Sequence, residues 1–146
     1  IVSDGAAAAA LLQADGVHVG QSDCSIQQAR AILGKSACIG VSAHNLEEAR
    51  MAQQGGADYI GCGAVFGSAT KQDATPLSRE TLRTICQGVS IPVVAIGGIT
   101  AQNVQQLAGS GIQGIAVVSA IFGQPDKTEA ARQMHQLANQ ICGGAQ

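Results

Sequence analysis

Short apolar runs alternate with stretches of helical periodicity from one end of the chain to the other. The runs fall at 1–3, 16–20, 38–42, 59–66, 92–96 and 112–119, and the helical stretches at 6–13, 26–33, 46–54, 79–88, 101–108 and 127–141. Successive runs lie about 15 to 30 residues apart, the length of a strand, a loop and one covering helix. Runs such as Val93-Val94-Ala95-Ile96 and Ile115-Ala116-Val117-Val118 lack polar alternation, so those strands are predicted to be covered on both faces. Parallel strands in β-α-β order follow, as an open sheet or a closed barrel.

Helix boundaries are marked by local chemistry. Ser25 with Gln28, Asn45 with Glu48, and Asp126 with Glu129 each place a capping side chain three residues before an acceptor. Ser78 and Thr100 are further cap candidates. Gly34, Gly55, Gly88 and Gly111 stand just past helical stretches, where a left-handed residue is wanted. No linker or charge block divides the 146 residues, so one domain is expected. The pattern opens inside a strand and holds six strands rather than eight. It therefore predicts the C-terminal piece of a larger α/β domain.

Composition narrows the classes. Of the chain, 46% is apolar, 12% charged and only 2% aromatic, with 19 glycines. Ala, Gly, Val and Ile fill the apolar share, as in parallel α/β layers, and disorder or a disulfide-stapled miniature is excluded. A formal net charge of −2 without a Lys/Arg cluster argues against nucleic acid and anionic membrane surfaces. No apolar run approaches the ~18 residues of a membrane span. Cys24, Cys38, Cys62, Cys86 and Cys142 are dispersed with no C-x-x-C pair, which reads as free thiols in a reducing cytoplasm rather than a zinc site.

The polar residues gather at the C-terminal ends of the predicted strands: Ser3-Asp4, Gln21 to Asp23, Ser42 with His44, Ser68 to Lys71, Gly97-Gly98 and Ser119. That edge is where parallel α/β folds bind ligands. Asp4 and Asp23 follow successive strands about 5 Å apart, so their carboxylates could share a hard cation such as Mg²⁺; helix capping is the other reading, and spacing leaves both open. Gly97-Gly98 before a helix, with Ser119 at the next strand end, suits a backbone phosphate cradle or a plain tight turn. Ser68-Ala69-Thr70-Lys71 offers hydroxyls and a cation to a polyphosphate, or is a solvated loop. His18 reads as a satisfied core histidine, and His44 as a capping or packing residue before a general base. No nucleophile–base pair can be assigned.

These stretches together resemble the thiamine-phosphate synthase family. The motifs are S-D at 3–4, A-D-G-V-H-V-G-Q-S-D at 14–23, G-V-S-A-H at 40–44 and A-D-Y-I-G-C-G-A-V-F at 57–66. T-K at 70–71, P-V-V-A-I-G-G-I-T at 92–100 and V-V-S-A-I-F at 117–122 complete the set. The resemblance implies a (β/α)₈ TIM barrel, of which residues 1–146 would be a single partial domain running from the third to the eighth strand, without the first two β/α units. It implies joining of hydroxymethylpyrimidine diphosphate to hydroxyethylthiazole phosphate, with release of pyrophosphate. Asp4 and Asp23 match the Mg²⁺ ligands; Ser3, Ser42 and Lys71 match the pyrimidine diphosphate site, with Ser42 and Lys71 as its catalytic residues. Ser68, Thr70, Gly98, Val118 and Ser119 match the thiazole-phosphate site. Ser3 stands where the family has Asn, Ser68 where it has Thr, and Gly5 and Ala7 replace the usual Arg and Asp. The implied partners are small molecules in the cytoplasm, with a homo-oligomer left open. Two alternatives are a thiazole tautomerase, whose catalytic His would stand at Ala64, and a non-catalytic phosphate-ligand binder.

Overall fold

The computed structural model describes residues 1–3, 5–67 and 76–142. Six strands, β1 (Val2–Ser3), β2 (Gly16–Val19), β3 (Cys38–Ala43), β4 (Tyr59–Cys62), β5 (Val93–Ile96) and β6 (Gly114–Ala116), form one sheet in chain order. Every neighbouring pair is parallel. The intervening helices are α1 (Ala6–Leu11), α2 (Ile26–Leu33), α3 (Leu46–Gln54) and α4 (Arg79–Gly88). A 3₁₀ helix (Val104–Leu107) joins β5 to β6, and α5 (Ser119–Phe122) and α6 (Lys127–Cys142) follow β6. Among the described residues β1 and β6 do not pair, so the six strands form an open parallel sheet, one of the two arrangements the pattern allowed.

The period of two in the strands divides the side chains between two faces. Val17, Val19, Ile39, Val41, Ile60, Cys62, Val93 and Ala95 are buried in one cluster with Ala29, Ala49, Ala52, Leu82 and Ile85 of the helices. Alanine on the inner helix faces lets α1, α2 and α3 approach the sheet closely, which is how so few aromatics suffice. The other face of β2 to β4 carries Gly16, His18, Cys38, Gly40, Ser42, Tyr59 and Gly61, polar or without side chain. The two faces therefore do different things: one is core, the other is left for chemistry.

Most boundaries follow the local chemistry read from sequence. Ser25 and Gln28 close a full capping box, with Gln28 N–H donating to Ser25 Oγ at 3.2 Å and Ser25 N–H to Gln28 Oε1 at 2.9 Å. Asn45, Ser78 and Asp126 accept from the N–H three residues on at 2.9, 3.0 and 2.9 Å. Gly34 (φ +89°) and Gly111 (φ +91°) are left-handed as expected. Gly55 is not: it stays right-handed and Gly56, at φ +92°, makes the turn. Gly88 also remains helical, with the extended Val89 after it.

Three expected elements are shorter. The run at 59–66 is strand only to Cys62, and its remainder is a loop that still bonds to β5, Val65 N–H to Ile96 O at 3.0 Å and Phe66 N–H to Gly97 O at 3.1 Å. The run at 112–119 is strand only over Gly114–Ala116, and Ser119 begins α5 instead of ending a strand. The helix expected at 101–108 is a single 3₁₀ turn. Asn103 stands at its start: its Oδ1 accepts from Thr100 N–H at 2.8 Å and its Nδ2 donates to Gly98 O at 2.8 Å. Asn103, not Thr100, is the residue that immediately precedes the turn. At the opposite end of the sheet, Arg30 donates to the carbonyls of Lys35, Ala37 and Gly56 and pairs with Asp58 at 2.9 Å, while Asp58 accepts from Ile39 N–H at 2.7 Å.

Candidate functional site

The C-terminal ends of the strands bring two kinds of group to one edge. On β2 to β4 they are side chains. His18 Nε2 lies 2.9 Å from Ser42 Oγ and His18 Nδ1 lies 3.0 Å from Tyr59 Oη. Gln21, in the loop after β2, donates from Nε2 to Ser42 O at 2.6 Å. In the same loop Asp23 Oδ2 accepts from Gly20 N–H at 2.6 Å, which fixes the exposed carboxylate. Ser3 ends β1 in register with His18 and is exposed.

On β5 and β6 the groups are backbone. Gly97 (φ +98°) and Gly98 (φ +67°) turn through the left-handed region, which favours glycine. They must also lack a Cβ: one on Gly97 would strike Ala64, and one on Gly98 would overlap Gly67 O and lie 3.0 Å from Phe66 O. Asn103 ties this turn to the 3₁₀ helix by the two bonds described above. Val118 and Ser119 follow β6, with Ser119 opening the four-residue α5. Neither Gly98 N–H nor Ser119 N–H donates to another described residue. Gly67, the residue before the 68–75 segment, rests against Gly98.

Titration behaviour separates structural from reactive groups. Burial pushes the Cys62 thiol up to about 12 and the Cys86 thiol to about 11, so both stay protonated and inert. All five cysteines are free, and among the described residues no three His, Cys, Asp or Glu side chains gather as a metal centre. Glu48 accepts from His44 N–H at 2.8 Å and lies 2.9 Å from His44 Nδ1. Burial raises the Glu48 carboxyl, but the His44 contacts more than offset this and hold it below the usual range. His44 is thereby a helix-start residue tied to its own helix. Burial also raises the Tyr59 hydroxyl, which stays protonated.

Of the residues expected at the site, Ser3, Asp23, Ser42, Gly98, Val118 and Ser119 all lie on this edge, and Asp4, Ser68, Thr70 and Lys71 lie outside the described residues. His18 is partnered as expected, yet it sits half-buried on the chemical face, not in the apolar core. Sequence reasoning missed Tyr59 and Asn103. Glycines inside neighbouring strands were the available signal for Tyr59, since Gly40 stands beside it in register.

Fold and site define a parallel α/β domain with a polar, glycine-lined edge at its strand ends, where such folds bind ligands. The family model described as thiamine monophosphate synthase (TMP-TENI) matches residues 1–121. A curated thiamine-phosphate synthase of Ruminiclostridium cellulolyticum is 50% identical over 137 residues, 94% of this chain and 65% of its own length. That of Chloroflexus aurantiacus is 49% identical over 140 residues, 95% of this chain and 64% of its own. The chain thus spans just under two thirds of these relatives. A solved thiamine phosphate pyrophosphorylase from Pyrococcus furiosus superposes with a TM-score of 0.87 at 39% identity, over 96% of this chain and 67% of that one. A 3-hexulose-6-phosphate synthase from Salmonella typhimurium shares the fold alone, at a TM-score of 0.70 and 24% identity over 94% of this chain and 69% of that one. The chain belongs to the thiamine monophosphate synthase family.

Proposed function

We propose that the protein carrying this chain is a thiamine-phosphate synthase, a transferase that joins hydroxymethylpyrimidine diphosphate to hydroxyethylthiazole phosphate and releases pyrophosphate. One observation carries the reading: the family model matches residues 1–121, and the described candidates Ser3, Asp23, Ser42, Gly98, Val118 and Ser119 stand toward one edge of the sheet. In this reading residues 1–146 are the third to eighth strands of a (β/α)₈ barrel, and the enzyme works in the cytoplasm on small molecules. No helix among the described residues is long and apolar enough to cross a membrane.

The reaction places its demand on the leaving group. The bond from the pyrimidine methylene carbon to the diphosphate oxygen breaks with its electron pair going to pyrophosphate, and the thiazole nitrogen lone pair then forms the new C–N bond. Ser3 and Ser42 hold the pyrimidine diphosphate by hydroxyl hydrogen bonds, and the Lys71 ammonium stabilises the departing charge. Ser68 and Thr70 with the backbone N–H groups of Gly98 and Ser119, beside Val118, hold the thiazole phosphate.

The donor set suits a hard divalent cation. The Asp23 carboxylate is exposed at the edge and anchored through one oxygen by Gly20 N–H, with the other free of described partners. Asp23 and Asp4 would hold Mg²⁺, which when bound supplies positive charge to the diphosphate. Ala64 stands where a tautomerase of this family would carry its His; its methyl group can transfer no proton, which favours the synthase. Incubation of the full-length protein with both substrates tests the proposal. Thiamine phosphate and pyrophosphate in equal amounts are expected, and no product above background contradicts it.

A further inference from the structure

Of the features outside the transferred site, the His18–Tyr59 pair is built with the greatest care. Gly40 lies in register between His18 on β2 and Tyr59 on β4, and a Cβ there would overlap the Tyr59 ring. Gly61 lies in register with Ser42, and a Cβ there would stand 2.6 Å from His18 Cε1. Two glycines inside strands weaken a sheet, and here both make room for these two rings. The rings lie 5.5 Å apart between centroids, tilted by 36°. The product of this arrangement is an unbroken line of polar atoms, Tyr59 Oη, His18 Nδ1, His18 Nε2 and Ser42 Oγ, with steps of 3.0 and 2.9 Å across the two hydrogen bonds.

We propose that His18 is a positioning residue, held in one tautomer by Tyr59, that turns the Ser42 hydroxyl proton toward the pyrimidine diphosphate. This rests on the reading of Ser42 as a contact of that substrate. The argument is one of donors and acceptors. A neutral imidazole has one N–H and one lone pair, and a hydroxyl has one proton to donate. Diphosphate oxygens only accept, so a Ser42 hydroxyl that meets one must spend its proton on the ligand. Its partner Nε2 must then be the donor, Nε2–H to Ser42 Oγ, which leaves Nδ1 as acceptor of the Tyr59 O–H. Burial raises that phenol above its ordinary value, which favours the protonated, donating form. The reverse tautomer would take the Ser42 proton for His18 and present only lone pairs to an anion. Gln21 Nε2 donates to the backbone carbonyl of the same serine while His18 Nε2 lies 2.9 Å from its Oγ, so the serine is held at both main chain and side chain.

Two substitutions separate positioning from packing. Glutamine places an amide near Nε2 and can still serve Ser42; asparagine places one near Nδ1 and serves Tyr59 only. In the full-length protein, His18→Asn is expected to raise KM for the pyrimidine diphosphate about tenfold, the equivalent of about 1.4 kcal/mol. The KM for the thiazole phosphate stays within about twofold, a difference no general loss of packing produces. His18→Gln is expected to restore most of the loss, and equal effects from the two variants would overturn the proposal. A nitrogen-15 spectrum of the wild-type histidine ring reads the tautomer without any variant or turnover: Nε2–H is expected and Nδ1–H overturns the assignment. An inactive protein with Nε2–H would retire the synthase reading while leaving the tautomer assignment in place. An active protein with Nδ1–H would do the opposite.

Discussion

The two sides of the strand edge solve the same problem with different materials. Around β2 to β4 the site is made of side chains, each held by another: His18 by Tyr59, Ser42 by His18 and Gln21, Asp23 by Gly20 N–H. Around β5 and β6 it is made of backbone, with Gly97 and Gly98 in left-handed turns and Asn103 clamping the turn from behind. A side-chain site is tuned by chemistry and fails when a donor is lost. A backbone site is tuned by space and fails when an atom is added. The difference decides what each kind of mutation should do.

The largest effect is expected on the backbone side. Gly98→Ala forces a Cβ into Gly67 O at a φ of +67°, and the left-handed backbone alone costs about 1–3 kcal/mol. Thermal unfolding should fall accordingly, and calorimetric titration should show thiazole phosphate held about a hundredfold more weakly, about 2.7 kcal/mol. Wild-type affinity in this variant would remove the cradle from that side. Next comes Asp23→Asn on the side-chain side. It preserves shape and removes one charged ligand, so a rate about a hundredfold lower and a raised Mg²⁺ requirement are expected, with thiazole-phosphate binding unchanged. Were Asp23 only a loop cap, asparagine would serve as well and turnover would stay normal.

A smaller effect tests the clamp. Asn103→Ala removes two hydrogen bonds to the Gly98–Thr100 turn without touching a ligand. Stability should drop by about 1–2 kcal/mol, and affinity for thiazole phosphate should fall while that for the pyrimidine diphosphate holds. Parallel loss of both would show that the two sides are not separable. The smallest effect lies away from the edge, at Asp58. Burial raises its carboxyl, but Ile39 N–H and the Arg30 guanidinium more than offset this, so its folded pKa is lowered. A lowered folded value stabilises the fold above the unfolded carboxylate value of about 4 and loses that contribution as pH falls through the folded one. Asp58→Asn should therefore flatten the acid side of a melting temperature against pH curve, and an unchanged curve would dismiss the pair as a stabilising contact.

The same contrast explains what could be read from the chain before its structure. Strands and capped helices were legible because they are written in side chains: Ser25 with Gln28, Asn45 and Asp126 all cap as their spacing indicates. The backbone side was harder. The apolar stretch through Val65 and Phe66 looks like continued strand, yet its hydrogen bonds go to Ile96 O and Gly97 O in a loop, a pairing no local pattern encodes. Val104 and Leu107 have helical spacing, but a buried pair three residues apart suits a single 3₁₀ turn as well as an α-helix, and the turn is what forms. At the site, the motifs gave Ser42 and Asp23 their place on the edge. They did not give the link from Ser42 through His18 to Tyr59, because that link crosses three strands and depends on Gly40 and Gly61 being empty.

The central claim is that one strand edge holds two substrates, one by side chains and one by backbone. Amide chemical-shift mapping on the full-length protein tests it most directly, with thiazole phosphate and the pyrimidine diphosphate plus Mg²⁺ added in separate titrations. Thiazole phosphate should move the Gly98, Val118 and Ser119 amides, and the diphosphate those of Gly20, Asp23 and Ser42. Shifts from both ligands on one side only, or confined to the groove between β6 and α6 lined by Ile115, Met134 and His135, would contradict the account.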